Sequence, residues 1–314
     1  MKVLVTGANG FIGEHLCAHL IARGDSVRGA LRQNRPDWRL CEQVVIGDIG
    51  AETDWSAALE GIECVVHLAG RAHVMQECEA DPLALFRQVN VAGSQKLARQ
   101  AVNAGVKRMI FISSIKVNGE RSGHRPFHSD DIVAPEDPYG QSKWEAEQVL
   151  SEVAQETGME LVILRPVLIY GRGVKGNMQR LAALISRGIP LPLGRVNNRR
   201  SLLSIENLVD FISCCMVHPA AAGELFLVAD GEDLSTPQLI NRLAYAMHRP
   251  VRLLPLPIGL LRIIGRFTGR ASEIERLCGD LQVDIEKNRQ LLGWTPKVSV
   301  AAALNDMFNQ EETT

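Results

Sequence analysis

The chain has 314 residues, of which 46% are apolar and 22% charged, and its formal net charge is −2. That balance suits a soluble protein of one large domain or a domain and a half, and gives no sign of a nucleic-acid surface. The seven cysteines are odd in number and include no Cys-x-x-Cys, so reduced, packed thiols are expected rather than a disulfide framework or a zinc site.

The first apolar run, Lys2-Val3-Leu4-Val5-Thr6, is rich in branched residues and predicts a buried strand. It begins too early to leave room for a signal peptide, so a cytoplasmic protein is expected. Gly7-Ala8-Asn9-Gly10-Phe11-Ile12-Gly13 follows and opens a helix with Leu16, Leu20 and Ile21 on one face. Strand, glycine turn and helix start form a cradle for a dinucleotide. Glycines let backbone approach a pyrophosphate, and the helix start offers N–H groups and a positive dipole end.

A second strand spans Val27 to Leu31 and is followed by Arg32, with Arg35 nearby and no Asp or Glu at its end. An acid there would hold a ribose 2′-OH, whereas arginine suits a 2′-phosphate. Arg32 therefore favours NADP(H) over NAD(H); the alternative is a solvated surface arginine. Val44 to Ile49 reads as a third strand with Asp48 at its tip, placed to hold adenine. Cys64 to Gly70 reads as a fourth, with small residues where a cofactor passes. Asp81-Pro82 is an N-cap and first-turn proline, starting a helix that runs to about Asn103. Asn90-Val91-Ala92-Gly93 is its weak point, where a side chain could bridge to a site. Lys107 to Ser113 is a fifth strand, ending in Ser113-Ser114.

Tyr139-Gly140-Gln141-Ser142-Lys143 lies on the next helix. Positions i and i+4 share a face, so phenol and ammonium can point into one cleft. A free tyrosine, with a pKa of about 10, does little proton transfer near neutrality. A neighbouring cation would lower that value towards the working range of acid–base catalysis. Leu161 to Pro166 is a sixth strand. The alternation predicts an α/β fold with a parallel, doubly wound sheet, whose ligands bind outside the carboxyl ends of its strands. Thr6, Asp48, Gly70, Ser114 and Arg165 all fall at such ends.

Beyond Tyr170 the alternation breaks. Gly171 to Gly176 is a basic, glycine-rich loop, and Arg195 to Arg200 a basic run whose Arg195 and Arg199 read as solvated. Glu224 to Val228 reads as a strand returning to the sheet. Leu253 to Ile264 is too short to span a bilayer and reads as a packed, loop-rich part of a lid. The expected division is a dinucleotide-binding domain at 1–170, with 204–229 returning to it. A mostly helical substrate domain would take 171–203 and 230–314.

Thr6-Gly7-x-x-Gly10-x-x-Gly13, Asp48, His67-Leu68-Ala69, Asn90, Ser113-Ser114, Pro138-Tyr139-Gly140-x-Ser142-Lys143, Arg165-Pro166 and Tyr170-Gly171 occur in this order. Over nearly the whole chain they resemble the extended short-chain dehydrogenase/reductases, specifically the nucleotide-sugar epimerase/dehydratase group. The resemblance implies a catalytic set of Ser114, Tyr139 and Lys143. Tyr139 would exchange a proton with a sugar oxygen, Ser114 would hydrogen-bond that oxygen, and Lys143 would lower the Tyr139 pKa and hold the nicotinamide ribose.

It further implies cofactor contacts from Gly7, Asn9, Gly10, Phe11, Ile12, Gly13, Arg32, Asp48, Ile49, Leu68, Ala69, Gly70, Asn90 and Pro166. Substrate contacts would come from His73, Lys116, Asn177, Arg200 and Arg276, beside Ser114 and Tyr139. Family members pair through helices corresponding to 83–103 and 142–157, so a homodimer is expected, with no metal, no nucleic acid and no membrane span.

The chain departs from the epimerase pattern at Ile115-Lys116-Val117-Asn118-Gly119-Glu120. Lys116 stands where epimerases often carry Thr, and Lys116-Val117 where dehydratases carry an acidic pair. This stretch, with Arg71-Ala72-His73-Val74-Met75, is similar to a bacterial subgroup that reduces UDP-linked 4-keto-6-deoxy amino sugars for surface polysaccharides. The leading expectation is therefore NADPH-dependent reduction of a UDP-4-keto-6-deoxy-N-acetylhexosamine to a quinovosamine- or fucosamine-type sugar. The alternative is a UDP-hexose 4-epimerase with retained NAD, and a third reading is a non-catalytic dinucleotide sensor.

Overall fold

Short branched apolar runs become the strands of one parallel sheet in the computed structural model, which describes residues 1–72 and 81–308. In chain order the strands are β1 (Lys2–Thr6), β2 (Ser26–Leu31), β3 (Glu42–Val45), β4 (Cys64–His67), β5 (Arg108–Ile112), β6 (Glu160–Pro166) and, much later, β9 (Leu225–Val228). They lie side by side as β3-β2-β1-β4-β5-β6-β9, all parallel. The order reverses at β1, which leaves a crevice between the carboxyl ends of β1 and β4, where ligands of such sheets bind.

Helices cover both faces. On one side, α1 (Phe11–Ala22) and α7 (Ile205–Val217) pack on Val3, Val5, Val66, Ile110, Val162 and Leu164. On the other, α2 (Ser56–Leu59), α4 (Gly93–Asn103) and α5 (Pro138–Thr157) cover Leu4, Val65, Phe111 and Leu161. The alternation of side chains along each strand feeds both cores, as expected for strands buried on two faces.

Asp81 accepts from Ala84 N and caps α3 (Pro82–Phe86), but the continuous helix from there to Asn103 is not uniform. Arg87–Ala92 is wound as π-helix, and it contains Asn90. Such wide turns commonly mark functional sites. The third strand stops at Val45 instead of Ile49, because Gly47 takes a φ of +70° and turns the chain away. Asp48 therefore sits in a turn beyond the strand.

A second sheet went unseen in the sequence: β7 (Leu168–Tyr170) pairs parallel with β8 (Arg200–Ser204), and β10 (Asp233–Leu234) antiparallel to β8. Strands of two to five residues carry little periodicity, and their pairing joins distant segments. Buried Asp230 ties this sheet to the large one by accepting from Tyr170 Oη (2.9 Å), Asn207 Nδ2 (2.8 Å) and the Ser204 N–H. Around the small sheet pack α6 (Asn177–Ser186), α8 (Thr236–Ala246) and α12 (Val300–Phe308). Between them α9 (Ile258–Phe267) and α10 (Ala271–Cys278) form a helical pair. Leu253 to Ile264 is thus not packed loop: it enters α9, which buries only Leu261 and Gly265. The chain then returns to the larger core, where α11 (Glu286–Leu292) sends Asn288 Nδ2 to Leu227 O at 3.0 Å. The six cysteines among the described residues form no disulfide.

Glu147 of α5 and Arg165 of β6 form a buried ion pair (2.5 Å), which Ser113 Oγ and Asn118 Oδ1 complete from the other side. Removing one member of such a pair strands the other charge, whereas removing both need not destabilise. Arg165→Met is therefore expected to lower stability by about 3–5 kcal/mol, and Arg165→Met with Glu147→Leu by clearly less. Urea unfolding of the two variants checks this; equal losses would show that the pair itself is not the source.

Candidate active site

The turn after β1 is shaped for a group that needs close backbone approach. Gly7 has a φ of +66°, and a Cβ on Gly13 would lie 2.2 Å from Gly7 O. Gly10, the N-cap of α1, contributes no capping side chain, and Asn9 and Gly10 face solvent. An uncapped helix start with its floor cleared of side chains fits a dinucleotide pyrophosphate. Phe11 and Ile12 begin α1 and are partly buried.

At the adenosine end, Arg32 follows β2, and Arg32 Nε lies 3.5 Å from Asp48 Oδ1, both side chains exposed. Ile49 follows Asp48 and packs under α4, where a Cβ on Gly93 would meet it at 2.4 Å. Leu68 and Ala69 are partly buried beyond β4, Gly70 is exposed, and Pro166 ends β6 in a buried position.

Beneath the cradle runs a polar chain that sequence reading missed. Ala69 N–H donates to Thr6 Oγ1 (3.0 Å), which meets His67 Nδ1 (2.7 Å). His67 Nε2 meets Ser94 Oγ (2.9 Å), and Ser94 Oγ–H donates to Asn90 O (2.6 Å). The directions are consistent only with the proton on Nε2. Burial, with the charge of Lys143 adding, pushes the His67 pKa down to about 3, so it stays neutral. Its sequence signal was a histidine inside an otherwise apolar strand.

Asn90, buried in the π-turn, is the hub. Its Oδ1 accepts from Arg71 N–H (2.8 Å), and its Nδ2 donates to Arg71 O (3.0 Å) and Ser142 Oγ (3.0 Å). A Cβ on Gly70 would lie 3.0 Å from Asn90 Oδ1 and 3.5 Å from Lys143 Nζ. Gly70, Asn90 and Lys143 therefore share one pocket floor.

Tyr139 is half-buried in the first turn of α5, which Asp137 caps by accepting from Gly140 N–H (2.7 Å). Gly140 lets α5 press on the turn after Ser114: a Cβ there would lie 2.8 Å from Lys116 O. Ser114 thereby comes beside the phenol and acts to lower its pKa. Phe86 meets the Tyr139 ring edge-on at 6.0 Å.

The tuning of the phenol differs from expectation. Burial pushes the Tyr139 pKa up to about 12; the neighbouring Ser114 hydroxyl opposes this and the Asp137 charge adds to it. Lys143 is not among the groups that move it. The ammonium is buried, donates to Ile112 O (2.7 Å) and lies 4.5 Å from the centre of the Phe111 ring. Its own pKa is pushed down to about 8 by burial, with Glu147 partly offsetting this. Glu147, four residues after Lys143, was legible by the same spacing that paired Lys143 with Tyr139.

The predicted substrate residues are not equally placed. Lys116 is not a free cation: Nζ pairs with Glu120 Oε1 (2.7 Å) and with Asp137 Oδ2. It braces the start of the Tyr139 helix through Asp137. Arg276 on α10 reaches Glu120 Oε2 at 3.8 Å. Arg200 Nη1 donates to Arg276 O (2.8 Å) and Gly279 O (3.1 Å), so these two arginines lie together near Lys116. Asn177 is exposed at the start of α6. His73, with Val74 and Met75 of its motif, lies outside the described residues. Arg71, not singled out for binding, places its guanidinium 5.8 Å from the Phe86 ring centre.

The profile of the NAD dependent epimerase/dehydratase family matches residues 3–229. The chain is 48% identical over 300 residues to a UDP-glucose 4-epimerase of Vibrio cholerae, covering 94% of this chain and 90% of that protein. It is 30% identical over 303 residues to the N-acetyl-α-D-glucosaminyl-diphospho-ditrans,octacis-undecaprenol 4-epimerase of Escherichia coli O157:H7, covering 91% and 88%. Among solved structures, the UDP-glucose 4-epimerase of Thermotoga maritima with UDP-glucose superposes with a TM-score of 0.77 at 25% identity, covering 98% and 97%.

Between about pH 8 and the ordinary lysine value near 10.4, the unfolded chain holds the Lys143 proton more tightly than the folded one. Stability contributed by this site thus rises with pH across that window, and the full cost of the buried ammonium is present below it. Lys143→Met is expected to stabilise the ligand-free chain by about 1–3 kcal/mol at pH 7 and to lose that advantage by about pH 10. Urea unfolding at both pH values reads it out; a variant less stable at pH 7 would refute the assignment.

Proposed function

The chain belongs to the NAD dependent epimerase/dehydratase family, and on that premise we propose that it is a UDP-sugar 4-epimerase that retains NAD. It is an oxidoreductase-type enzyme of the extended short-chain dehydrogenase/reductase class, with an NAD(P)-dependent chemistry. The observation that carries the reading is the placing of Tyr139 and Lys143 one turn apart on α5, with Ser114 beside the phenol and Lys143 under Gly70, in a chain nearly half identical to a UDP-glucose 4-epimerase.

When bound, the nicotinamide supplies hydride acceptance and return at the sugar's C4. Gly7, Gly10 and Gly13 would admit the pyrophosphate, Asp48 and Ile49 would border the adenine, and Lys143 would hold the nicotinamide ribose over the floor that Asn90 fixes. Tyr139 Oη takes the proton of the C4 hydroxyl as that carbon is oxidised and returns it when the other face is reduced. For this the phenol must come down from its ligand-free value. Ser114 does part of that, and Lys143 brings the charge that does the rest when the cleft is filled. Asn177, Arg200 and Arg276 bind the nucleotide diphosphate, for which arginine is well suited. A homodimer through 83–103 and 142–157, working in the cytoplasm, completes the reading.

The Arg32–Asp48 pair supports NAD over NADP. Asp48 neutralises the guanidinium that a 2′-phosphate would need and supplies the acceptor that β2 itself lacks. The second reading, NADPH-dependent reduction of a UDP-4-keto-6-deoxy-N-acetylhexosamine, keeps one specific observation. Lys116, braced between Glu120 and Asp137, stands where epimerases often carry Thr.

The test is to incubate the purified protein with UDP-glucose and with UDP-N-acetylglucosamine, without added cofactor. C4-inverted product, with NAD released on denaturation, is expected. NADPH oxidation by a UDP-4-keto-6-deoxy sugar without any inversion would overturn the epimerase in favour of the reductase. Since the Escherichia coli relative is named for a polyprenyl-linked sugar, undecaprenyl-diphospho-N-acetylglucosamine is run in parallel. Tyr139→Phe should keep bound dinucleotide and lose turnover by about 10²–10⁴-fold; near-normal turnover would remove the mechanism.

A further inference from the structure

Helix α9 wears its apolar residues outward. Leu260, Ile263, Ile264 and Phe267 are 44%, 50%, 43% and 88% exposed. Their spacing of i, i+3, i+4 and i+7 makes one continuous stripe along the helix. The face that meets α10 is a different one: Leu261 and Gly265 are buried, with Gly265 so close to Ile274 that a Cβ would lie 2.8 Å from it. Single exposed apolar residues are ordinary, but a stripe of four large ones on one helix is not.

The charge on the stripe's own helix is one-sided, the nearest carboxylates being Glu273 and Glu275 on α10. From Leu234 to Ser272 there are six arginines and no Asp or Glu, in a chain whose net charge is −2. Arg262, Arg266 and Arg270 belong to α9 and its exit, and all three are exposed; among the described residues only Arg262 is engaged by a carboxylate, Glu275 of α10, at 2.9 Å. A second copy of the chain docking symmetrically would set this basic patch against itself, since a two-fold contact brings like against like. An anionic surface has no such conflict. A helix with an apolar stripe bordered by arginines, too short to cross a bilayer, has the build of one that lies in its interface.

We infer that α9 seats the protein on an anionic lipid bilayer, with Leu260, Ile263, Ile264 and Phe267 in the acyl boundary and Arg266 and Arg270 at the headgroups. The seat is next to the cleft. Helix α10, which α9 packs on, carries Arg276, and its Arg276 carbonyl accepts from Arg200. The inference stands independently of which sugar or cofactor the cleft takes.

The full-length protein is mixed with vesicles of phosphatidylglycerol and phosphatidylethanolamine, or of phosphatidylcholine alone, and pelleted. Binding to the anionic vesicles about tenfold above the neutral ones is expected, falling with added salt. Ile263→Ser with Phe267→Ser, and separately Arg266→Glu with Arg270→Glu, should each reduce that binding about tenfold. Both variants should keep the wild-type melting temperature and bound dinucleotide, which shows that they fold. No preference for anionic vesicles, or unchanged binding of either variant, would overturn the inference. So would a wild-type dimer by sedimentation velocity that Ile263→Ser with Phe267→Ser converts to monomer, which would assign the stripe to a second copy.

Discussion

One buried amide holds the site together. Asn90 joins the backbone of Arg71, beyond β4, to Ser142 on the Tyr139 helix, and its carbonyl ends the polar chain that begins at Thr6. A regular α-helix from Pro82 to Asn103 would be straight and self-satisfied; the π-turn at Arg87–Ala92 gives Asn90 its inward position. Because Ala69, Gly70 and Lys143 are all set relative to this amide, the cofactor cradle and the phenol are positioned by the same few bonds. Buried polar networks of this kind are costly when incomplete, which makes the arrangement rigid.

Buried charge is the second organising feature. Glu147 and Arg165 satisfy each other under β5 and β6, and Lys143 lies close enough to Glu147 to feel it without a direct bond. The lysine is thereby kept in a dry place with, among the described residues, a carbonyl and an aromatic face as partners. Such a group is under electrostatic stress in the ligand-free chain, and a ligand offering hydroxyl acceptors relieves it.

Between the two sheets runs a third set of charges. Asp137 caps the Tyr139 helix, Lys116 links Asp137 to Glu120, and Glu120 faces Arg276, whose helix also accepts Arg200. The start of the helix bearing Tyr139 is thus in electrical contact with the part of the chain that grips a nucleotide diphosphate in the proposed reading. Lys116 is a strut between these two regions.

The sequence by itself determined the large sheet, the glycine cradle and the placing of Tyr139 and Lys143 on one helix face. Those features depend on local rules, namely branched apolar runs, glycine turns and the i, i+4 repeat. It also located Asn90 at a weak point, because Val91-Ala92-Gly93 breaks the helical pattern there. Tertiary structure alone decided what met what. It brought Asp48 from beyond β3 to Arg32. It surrounded Lys116 with two carboxylates distant from each other in the chain, paired β7 with β8, and turned the apolar side of α9 outward. Contacts between segments far apart in sequence, and the desolvation that sets the charge states of Tyr139 and Lys143, are properties of packing, and no local pattern encodes them.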